Sequence, residues 1–179
     1  MIVKIILLIL LLCITGCQKQ PDTFQFSTNE TKITVSLHQI QDTVFDIQAA
    51  VYKPDGDTTL DTWRLNYPVY RFDCADITGD GIPEIAVGVI KPTRFDPIVR
   101  KRLFLFKLFD TCYVRPLWLG SKMSLPLVDF RIVNGRVRTI EQEGENSFVV
   151  AEYEYKRFGL EWLAYLKRGL SMEEAFEEL

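Results

Sequence analysis

The sequence predicts an all-β domain of antiparallel sheets that ends in one short helix. Three observations support this prediction. From residue 31 to about residue 166, apolar residues recur mostly at every second position, as in half-buried strands. Turn-forming residues separate these stretches. Only the last nine residues show helical spacing.

The predicted strands follow one another along most of the chain. Lys32–Leu37 alternates cleanly between polar and apolar residues, whereas Glu84–Ile90 is a continuous, β-branched apolar run. Asn134-Gly135 between two such stretches is a strong hairpin signal. The predicted strands cover residues 32–37, 43–52, 60–67, 69–74, 84–90, 102–108, 112–119, 128–133, 137–141, 147–155 and 160–166.

The carboxyl terminus carries the helical signal. Ser171 followed by Glu174 forms a capping box, in which each side chain bonds the other residue's backbone amide. Met172, Ala175, Phe176 and Leu179 then fall on one face. We expect this helix to pack against a sheet.

Composition excludes several classes of function. The 179 residues are 47% hydrophobic, which is typical of a globular protein, and the net charge of −3 does not suggest nucleic-acid binding. His38 is the single histidine, so multi-histidine metal sites are excluded and a Ser-His-Asp triad has little support. Phosphate-binding glycine loops, G-x-S-x-G and C-x-x-C motifs do not occur.

The amino terminus predicts export. Lys4 precedes an apolar run from Ile5 to Ile14, followed by Thr15, Gly16 and Cys17. A charged start, a short apolar region and small residues describe a secretory signal peptide. The uncharged stretch from residue 5 to residue 18 has about 14 residues, short of the roughly 20 that a membrane-spanning helix needs.

Ile14-Thr15-Gly16-Cys17 resembles the lipobox of bacterial lipoproteins. The resemblance implies a signal peptide at residues 1–16, with diacylglycerol and palmitate on Cys17. Residues 17–29 would be the lipidated cysteine and a polar tether, and residues 30–179 a single domain. It also implies a membrane anchor in the bacterial cell envelope. Gln18 in place of aspartate favours the outer membrane in a Gram-negative cell.

Asp76 to Glu84 is the most specific internal motif. Oxygen-bearing side chains fall at loop positions 1, 3, 5 and 9, with glycine at position 6. Calcium prefers several hard oxygen ligands on a tightly curled backbone. Strand-like residues on both sides of the loop exclude an EF-hand, which needs flanking helices.

The stretch D-x-T-G-D-G-x-x-E-I resembles the FG-GAP/VCBS repeat, in which such loops join strands of a β-propeller blade. The resemblance implies side-chain ligands at Asp76, Thr78 and Asp80, a backbone ligand at Ile82 and a closing carboxylate at Glu84. Thr78 and Glu84 depart from the family's usual residues. A diverged second unit begins about 58 residues after Tyr70, near Val128. Two or three units cannot close a ring, so we predict an incomplete propeller-like or sandwich arrangement.

Two features allow two interpretations each. The Asp76–Glu84 loop either binds calcium or is a tight turn whose aspartates accept hydrogen bonds from backbone amides. Cys74 and Cys112 are either bridged in an oxidising compartment or are free thiols in the core.

The stretch 91–102 is predicted to be an exposed loop with five basic residues in twelve: Lys91, Arg94, Arg100, Lys101 and Arg102. It is either a patch for an acidic partner, such as a lipid headgroup or an anionic glycan, or an ordinary solvated loop. Trp63, Trp118 and Trp162 are expected in the core rather than on a sugar ring.

These observations favour a lipid-anchored, non-enzymatic binding or scaffolding module with an unidentified envelope protein or glycan as partner. The alternative is a carboxylate-based hydrolase of wall or capsule polysaccharide, drawing on the glutamates at positions 141, 143, 145, 152 and 154. A third hypothesis is an accessory subunit of a membrane complex, which would expose an apolar patch.

Overall fold

The computed structural model describes residues 22–28, 31–120 and 122–179. In these it contains twelve strands and one helix, all strand pairs being antiparallel. The predicted all-β fold with a short C-terminal helix is therefore confirmed. The predicted signal peptide and the predicted lipidation site, Cys17, lie outside the described residues. None of the described helical structure is long and apolar enough to span a bilayer.

Each sheet is a meander of four consecutive strands. The N-terminal sheet comprises β1 (Asp22–Thr28), β2 (Thr31–Gln41), β3 (Val44–Tyr52) and β4 (Thr58–Leu65). The middle sheet comprises β5 (Val69–Ala75), β6 (Glu84–Thr93), β7 (Asp96–Phe109) and β8 (Tyr113–Leu119). The C-terminal sheet comprises β9 (Leu127–Val133), β10 (Arg136–Gly144), β11 (Ser147–Lys156) and β12 (Gly159–Leu170), and α1 (Met172–Glu177) follows.

The three sheets are stacked in chain order, with one apolar cluster in each of the two gaps between sheets and a third cluster under the C-terminal helix. The first cluster joins the N-terminal and middle sheets, with Ile47 and Phe106 among its fully buried residues. The second joins the middle and C-terminal sheets around Leu105 and Phe130. The third lies between the C-terminal sheet and Ala175 of α1. The middle sheet is consequently buried on both faces, and the first six residues of β6 are all buried.

Two local predictions are confirmed at the level of backbone geometry. Asn134 and Gly135 both have positive φ, 51° and 73°, as a two-residue type I′ hairpin turn requires. Ser171 caps α1 with both hydrogen bonds of the capping box: its hydroxyl accepts from the Glu174 amide at 3.3 Å, and the Glu174 carboxylate accepts from the Ser171 amide at 2.8 Å.

The predicted boundary between tether and domain is wrong within the described residues. The sequence predicts a tether up to residue 29, but Asp22–Thr28 pairs with β2 along its whole length. Phe24 packs on Phe72 of the middle sheet with ring centroids 5.7 Å apart. The strand was missed because its two apolar side chains, Phe24 and Phe26, are embedded among polar residues.

The predicted exposed loop at residues 91–102 is also wrong. β6 continues to Thr93 and β7 begins at Asp96, so a two-residue turn at Arg94-Phe95 joins two paired strands. The prolines at positions 92 and 97 suggested a loop, yet Pro can lie on a ribbon whose outer edges carry no further strand.

We predict that Gly88→Ala destabilises the protein. A Cβ at Gly88 would lie 2.6 Å from Cζ of Tyr70 and 2.9 Å from Cβ of Arg71. Such overpacking should lower the free energy of unfolding by about 1–3 kcal/mol. Urea unfolding followed by circular dichroism measures this.

Gly144→Ala is the matched control. Its Cβ would make an ordinary 3.5 Å contact with Ser147, and its φ is not in the left-handed region. We expect it to be neutral or to stabilise by up to about 1 kcal/mol. Equal destabilisation by both substitutions would contradict the close packing at Gly88.

Candidate functional site

The Asp76–Glu84 loop connects β5 to β6 and is held by apolar packing on both faces of the middle sheet. Ile77 is buried in the cluster between the middle and C-terminal sheets. Ile82 packs against the cluster between the N-terminal and middle sheets. Gly79 and Gly81 have φ of 78° and 81°, a conformation that glycine adopts without a steric penalty. The tight curl therefore needs both glycines, and both cores hold it.

Asp76 and Asp80 accept hydrogen bonds from backbone amides of the same loop. Oδ1 of Asp76 accepts from the amides of Thr78 (3.2 Å) and Gly79 (2.6 Å), and Oδ2 accepts from that of Gly81 (2.8 Å). Oδ1 of Asp80 accepts from the Ile82 amide at 2.8 Å. These are Asx-type contacts, in which a short carboxylate takes the place of a backbone acceptor.

Glu84 points into the protein rather than toward the rim of the loop. The residue is only 2% exposed. Oε2 accepts from the amides of Ile77 (2.9 Å) and Thr78 (3.2 Å), and Oε1 accepts from the Thr78 hydroxyl (3.2 Å). Burial raises the pKa of this carboxyl above its usual range, the neighbouring charge of Asp80 acts in the same direction, and the amide hydrogen bonds oppose the rise.

This arrangement does not fit a calcium ion. Both oxygens of Asp76 and of Glu84 already accept hydrogen bonds from the loop, and the Thr78 hydroxyl donates to Glu84. Among the described residues, no group of three His, Cys, Asp or Glu side chains is placed to hold a metal. The geometry matches the interpretation of a hydrogen-bonded turn, and calcium binding by Asp76, Thr78, Asp80, Ile82 and Glu84 stays a prediction.

Cys74 and Cys112 are free and buried. Of the two predicted alternatives, the structure therefore has free thiols in the core and not a disulfide bond. Both belong to the cluster between the N-terminal and middle sheets. Burial raises the pKa of each thiol, which keeps both in the unreactive protonated form.

Most of the predicted basic patch is engaged within the protein. Arg102 is 3% exposed and forms an ion pair with Asp96 at 2.9 Å. Nζ of Lys101 donates to the Val128 carbonyl at 2.7 Å, and Nζ of Lys91 lies 4.3 Å from the centre of the Tyr67 ring. Arg100 also contacts Asp96, at 3.4 Å.

The remaining basic residue, Arg94, is exposed at the turn, with its guanidinium 5.6 Å from the centre of the Phe95 ring. The prediction of five exposed cations is therefore wrong for Arg102. Lys91, Arg100 and Lys101 are half-buried and make the contacts described above, so they are not fully exposed either.

The glutamates considered for hydrolysis are divided among separate structural contacts. Glu143 pairs with Arg168, Glu152 with Arg136, and Glu154 with Lys156. Glu141 is fully buried and accepts from the Leu125 amide (2.6 Å), the Thr139 hydroxyl (2.8 Å) and the Tyr153 hydroxyl (2.5 Å).

The polar contacts between the middle and C-terminal sheets were not predicted from the sequence. Arg71 donates through Nε to Asp129 at 2.8 Å, and its Nη2 contacts the other carboxylate oxygen. Oδ2 of Asp73 accepts from the Ile132 amide at 2.7 Å. The 58-residue spacing noted in the sequence was the available signal, since Arg71 and Asp129 are 58 positions apart.

No protein-family model matches the sequence, and no curated protein matches it. One solved structure with a similar arrangement is described as the structure of a Xanthomonas type IV secretion system related protein. It has 12% sequence identity and a TM-score of 0.41, with 81% of each chain covered.

We predict that Asp76→Ala costs more stability than Asp80→Ala. The first removes the acceptor of three amides and the second that of one. Because water can partly replace the carboxylate in an exposed loop, we expect losses of about 1–2 and under about 1 kcal/mol, respectively. Urea unfolding measures both. Asp55→Ala, which removes a single acceptor from another exposed turn, calibrates the smaller value, and a larger loss for Asp80→Ala would contradict the assignment.

Calcium should leave the unfolding temperature unchanged, because both carboxylate oxygens of Asp76 and of Glu84 already accept hydrogen bonds within the loop. The measurement is thermal unfolding in calcium and in chelator, for the wild type and for Asp76→Ala/Asp80→Ala. A bound ion at 100 times its dissociation constant would add about 2.7 kcal/mol, or several degrees. A rise in the wild type alone would show that the loop rearranges into a calcium site.

Proposed function

We propose that this chain is a lipid-anchored, non-enzymatic module of the bacterial cell envelope that binds or scaffolds another envelope component. The observation that carries the proposal is the Ile14-Thr15-Gly16-Cys17 sequence at the end of a signal-like segment, with the folded domain starting soon afterwards. Only four residues separate Cys17 from Asp22, the first residue of β1. An extended chain advances at most about 3.3–3.6 Å per residue, so a lipid on Cys17 would hold the domain within about 17 Å of the bilayer surface.

The two ends of the stack differ, and the short tether decides which end would face the membrane. We call the end where β1 begins the amino end. Asp22 there lines a hollow of about 200 Å³ together with Pro68 and Val69 at the start of β5. We call the opposite end the loop end. It carries the Asp76–Glu84 loop and, beside it, the Asn134-Gly135 turn. A Cβ added to Gly135 would lie 3.4 Å from the carbonyl oxygen of Asp76.

The β11–β12 turn also lies at the loop end. Tyr155 precedes this turn. Burial raises the pKa of Tyr155, and the nearby carboxylate of Glu84 raises it further. Phe158 at the tip of the turn is 91% exposed. With the amino end held at the membrane, the loop end would point away from it, and we propose that this end meets a protein or glycan partner.

The carboxylates support a binding role over the alternative of a polysaccharide hydrolase. A hydrolase needs two carboxylates facing one substrate across a cleft, about 5–10 Å apart. Three of the candidate glutamates, Glu143, Glu152 and Glu154, instead pair with arginine or lysine side chains, and Glu141 is buried among hydrogen-bond donors. The hydrolase remains a hypothesis without a supporting contact.

Cys17→Ala should abolish lipidation and membrane retention. The wild-type chain, expressed with radiolabelled palmitate, should carry label, lose its first 16 residues and sediment with membranes. Cys17→Ala should be unlabelled and keep its full length of 179 residues. Cys13→Ala is the matched control, because it changes a cysteine of the same segment outside the lipobox. Label on Cys17→Ala, or its loss from Cys13→Ala as well, would contradict the anchor.

A further inference from the structure

The middle sheet sends out a two-stranded ribbon that no neighbouring strand covers. β5 begins to pair with β6 at Val69 and Val89, and the pairing of β8 with β7 ends at Phe104. Between these limits, the strand residues from 90 to 101 pair only with each other, through contacts such as Ile90 with Lys101 and Thr93 with Asp96. We call residues 90–101 the arm.

The tip of the arm is apolar and exposed. Phe95 in the turn is 84% exposed, and Ile98 and Val99 at the start of β7 are 58% and 65% exposed. Three large apolar side chains within five residues, on a ribbon with no strand at either edge, are costly to leave in water. Such a surface is characteristic of an interaction site.

The arm leaves the stack at the amino end. The amide of Ile90 donates to the Pro68 carbonyl at 3.0 Å, and Pro68 lines the same hollow as Asp22. Five residues of strand from Ile90 to Phe95 advance about 16 Å. This reach is close to the roughly 17 Å span available between Cys17 and Asp22. An acyl chain on Cys17 and the arm tip can therefore reach one bilayer surface together.

The charges of the arm fit a lipid surface. Arg94 lies beside Phe95 at the very tip, and the arm carries four basic residues against one acid, Asp96. Arg100 and Arg102 bind Asp96, and Lys101 is engaged at the base of the arm. The result is an apolar tip with a cation next to it and positive charge behind it. Membrane-surface segments use this combination, with rings in the acyl boundary and cations among anionic headgroups.

From these observations we propose that the arm tip inserts Phe95, Ile98 and Val99 into the interface of the membrane that holds the lipid anchor. The proposal rests on the proposed function for the anchor at Cys17. It adds a second, protein-made membrane contact, which would narrow the orientations that the short tether allows. A bilayer is favoured over a protein as the occupant because the reach of the arm equals that of the tether.

The test measures the depth of single labelled positions in the intact lipidated chain. Phe95→Cys and Phe158→Cys are each labelled with an environment-sensitive nitrobenzoxadiazole group, the native Cys74 and Cys112 being buried. Position 158 is the matched control, since Phe158 is just as exposed but lies at the loop end. The purified chains are reconstituted into vesicles of phosphatidylethanolamine with a minority of phosphatidylglycerol, with and without doxyl-labelled lipid.

We expect the label at position 95 to shift its emission to the blue and to lose most of its intensity to the doxyl lipid, while the label at position 158 stays as in water. Flotation of the vesicles tests the anchor separately. Flotation with a water-like signal at position 95 overturns the arm proposal and leaves the anchor standing. Failure to float, with no quenching at position 95, overturns both. If the label at position 95 is shielded from water in native membranes but not in pure lipid vesicles, the arm contacts a protein. This result would overturn the proposal as well.

Discussion

The whole structure depends on a middle sheet that is buried on both faces. An antiparallel sheet usually has one face in water, but β6 opens with six consecutive buried residues. Apolar side chains therefore leave the middle sheet in both directions and need a cover on each side. The N-terminal sheet supplies one cover and the C-terminal sheet the other. Neither outer sheet can be lost without exposing a full face of the middle one, so we expect the three to unfold together.

The contacts between the middle and C-terminal sheets explain how the stack keeps its alignment. Apolar packing alone tolerates sliding between layers, whereas directional polar contacts do not. Arg71 of β5 binds Asp129 of β9, and Asp73 of β5 accepts from the Ile132 amide. These two contacts join the first strands of consecutive sheets. The Asp76–Glu84 loop follows β5 directly and reaches into both cores through Ile77 and Ile82, so its hydrogen-bonded curl contributes to the same alignment.

The sequence predicted those features that depend on residues close together in the chain. Alternation along β2, the type I′ turn at Asn134-Gly135 and the capping box at Ser171 are all local, and the structure confirms each. The predicted strand at β11 is also present, although residues 148–151 are all buried instead of alternating. The continuous apolar run of β6 predicted a strand, and the structure buries the first six residues of that strand. The spacing of 58 residues between Arg71 and Asp129 likewise separates the starts of β5 and β9, Val69 and Leu127.

The failures depend on distant partners. β1 is a strand because Phe24 meets Phe72, which lies 48 positions later. The basic residues of the arm looked like a solvated patch because the groups that engage them are remote, such as the Val128 carbonyl for Lys101 and the Tyr67 ring for Lys91. Alternation shows which face of a strand is buried but not what lies across from it, so the three-layer stack could not be deduced. The orientation of the Glu84 carboxylate was equally inaccessible, because a ligand and a buried acceptor have the same spacing.

Neither outer surface of the three-sheet stack favours the packing of a fourth sheet. The outer face of the N-terminal sheet is largely polar, with a hydrogen bond between Ser36 and His38 and an ion pair between Asp46 and Arg64. The outer face of the C-terminal sheet is partly covered by α1 through Ala175. A fourth sheet would have to bury these polar groups without new partners, which costs free energy. The most exposed aromatic rings lie instead at the two ends, Phe95 at the amino end and Phe158 at the loop end. With the anchor proposed for Cys17, the two ends would therefore face different surroundings, the membrane at the amino end and the space away from it at the loop end.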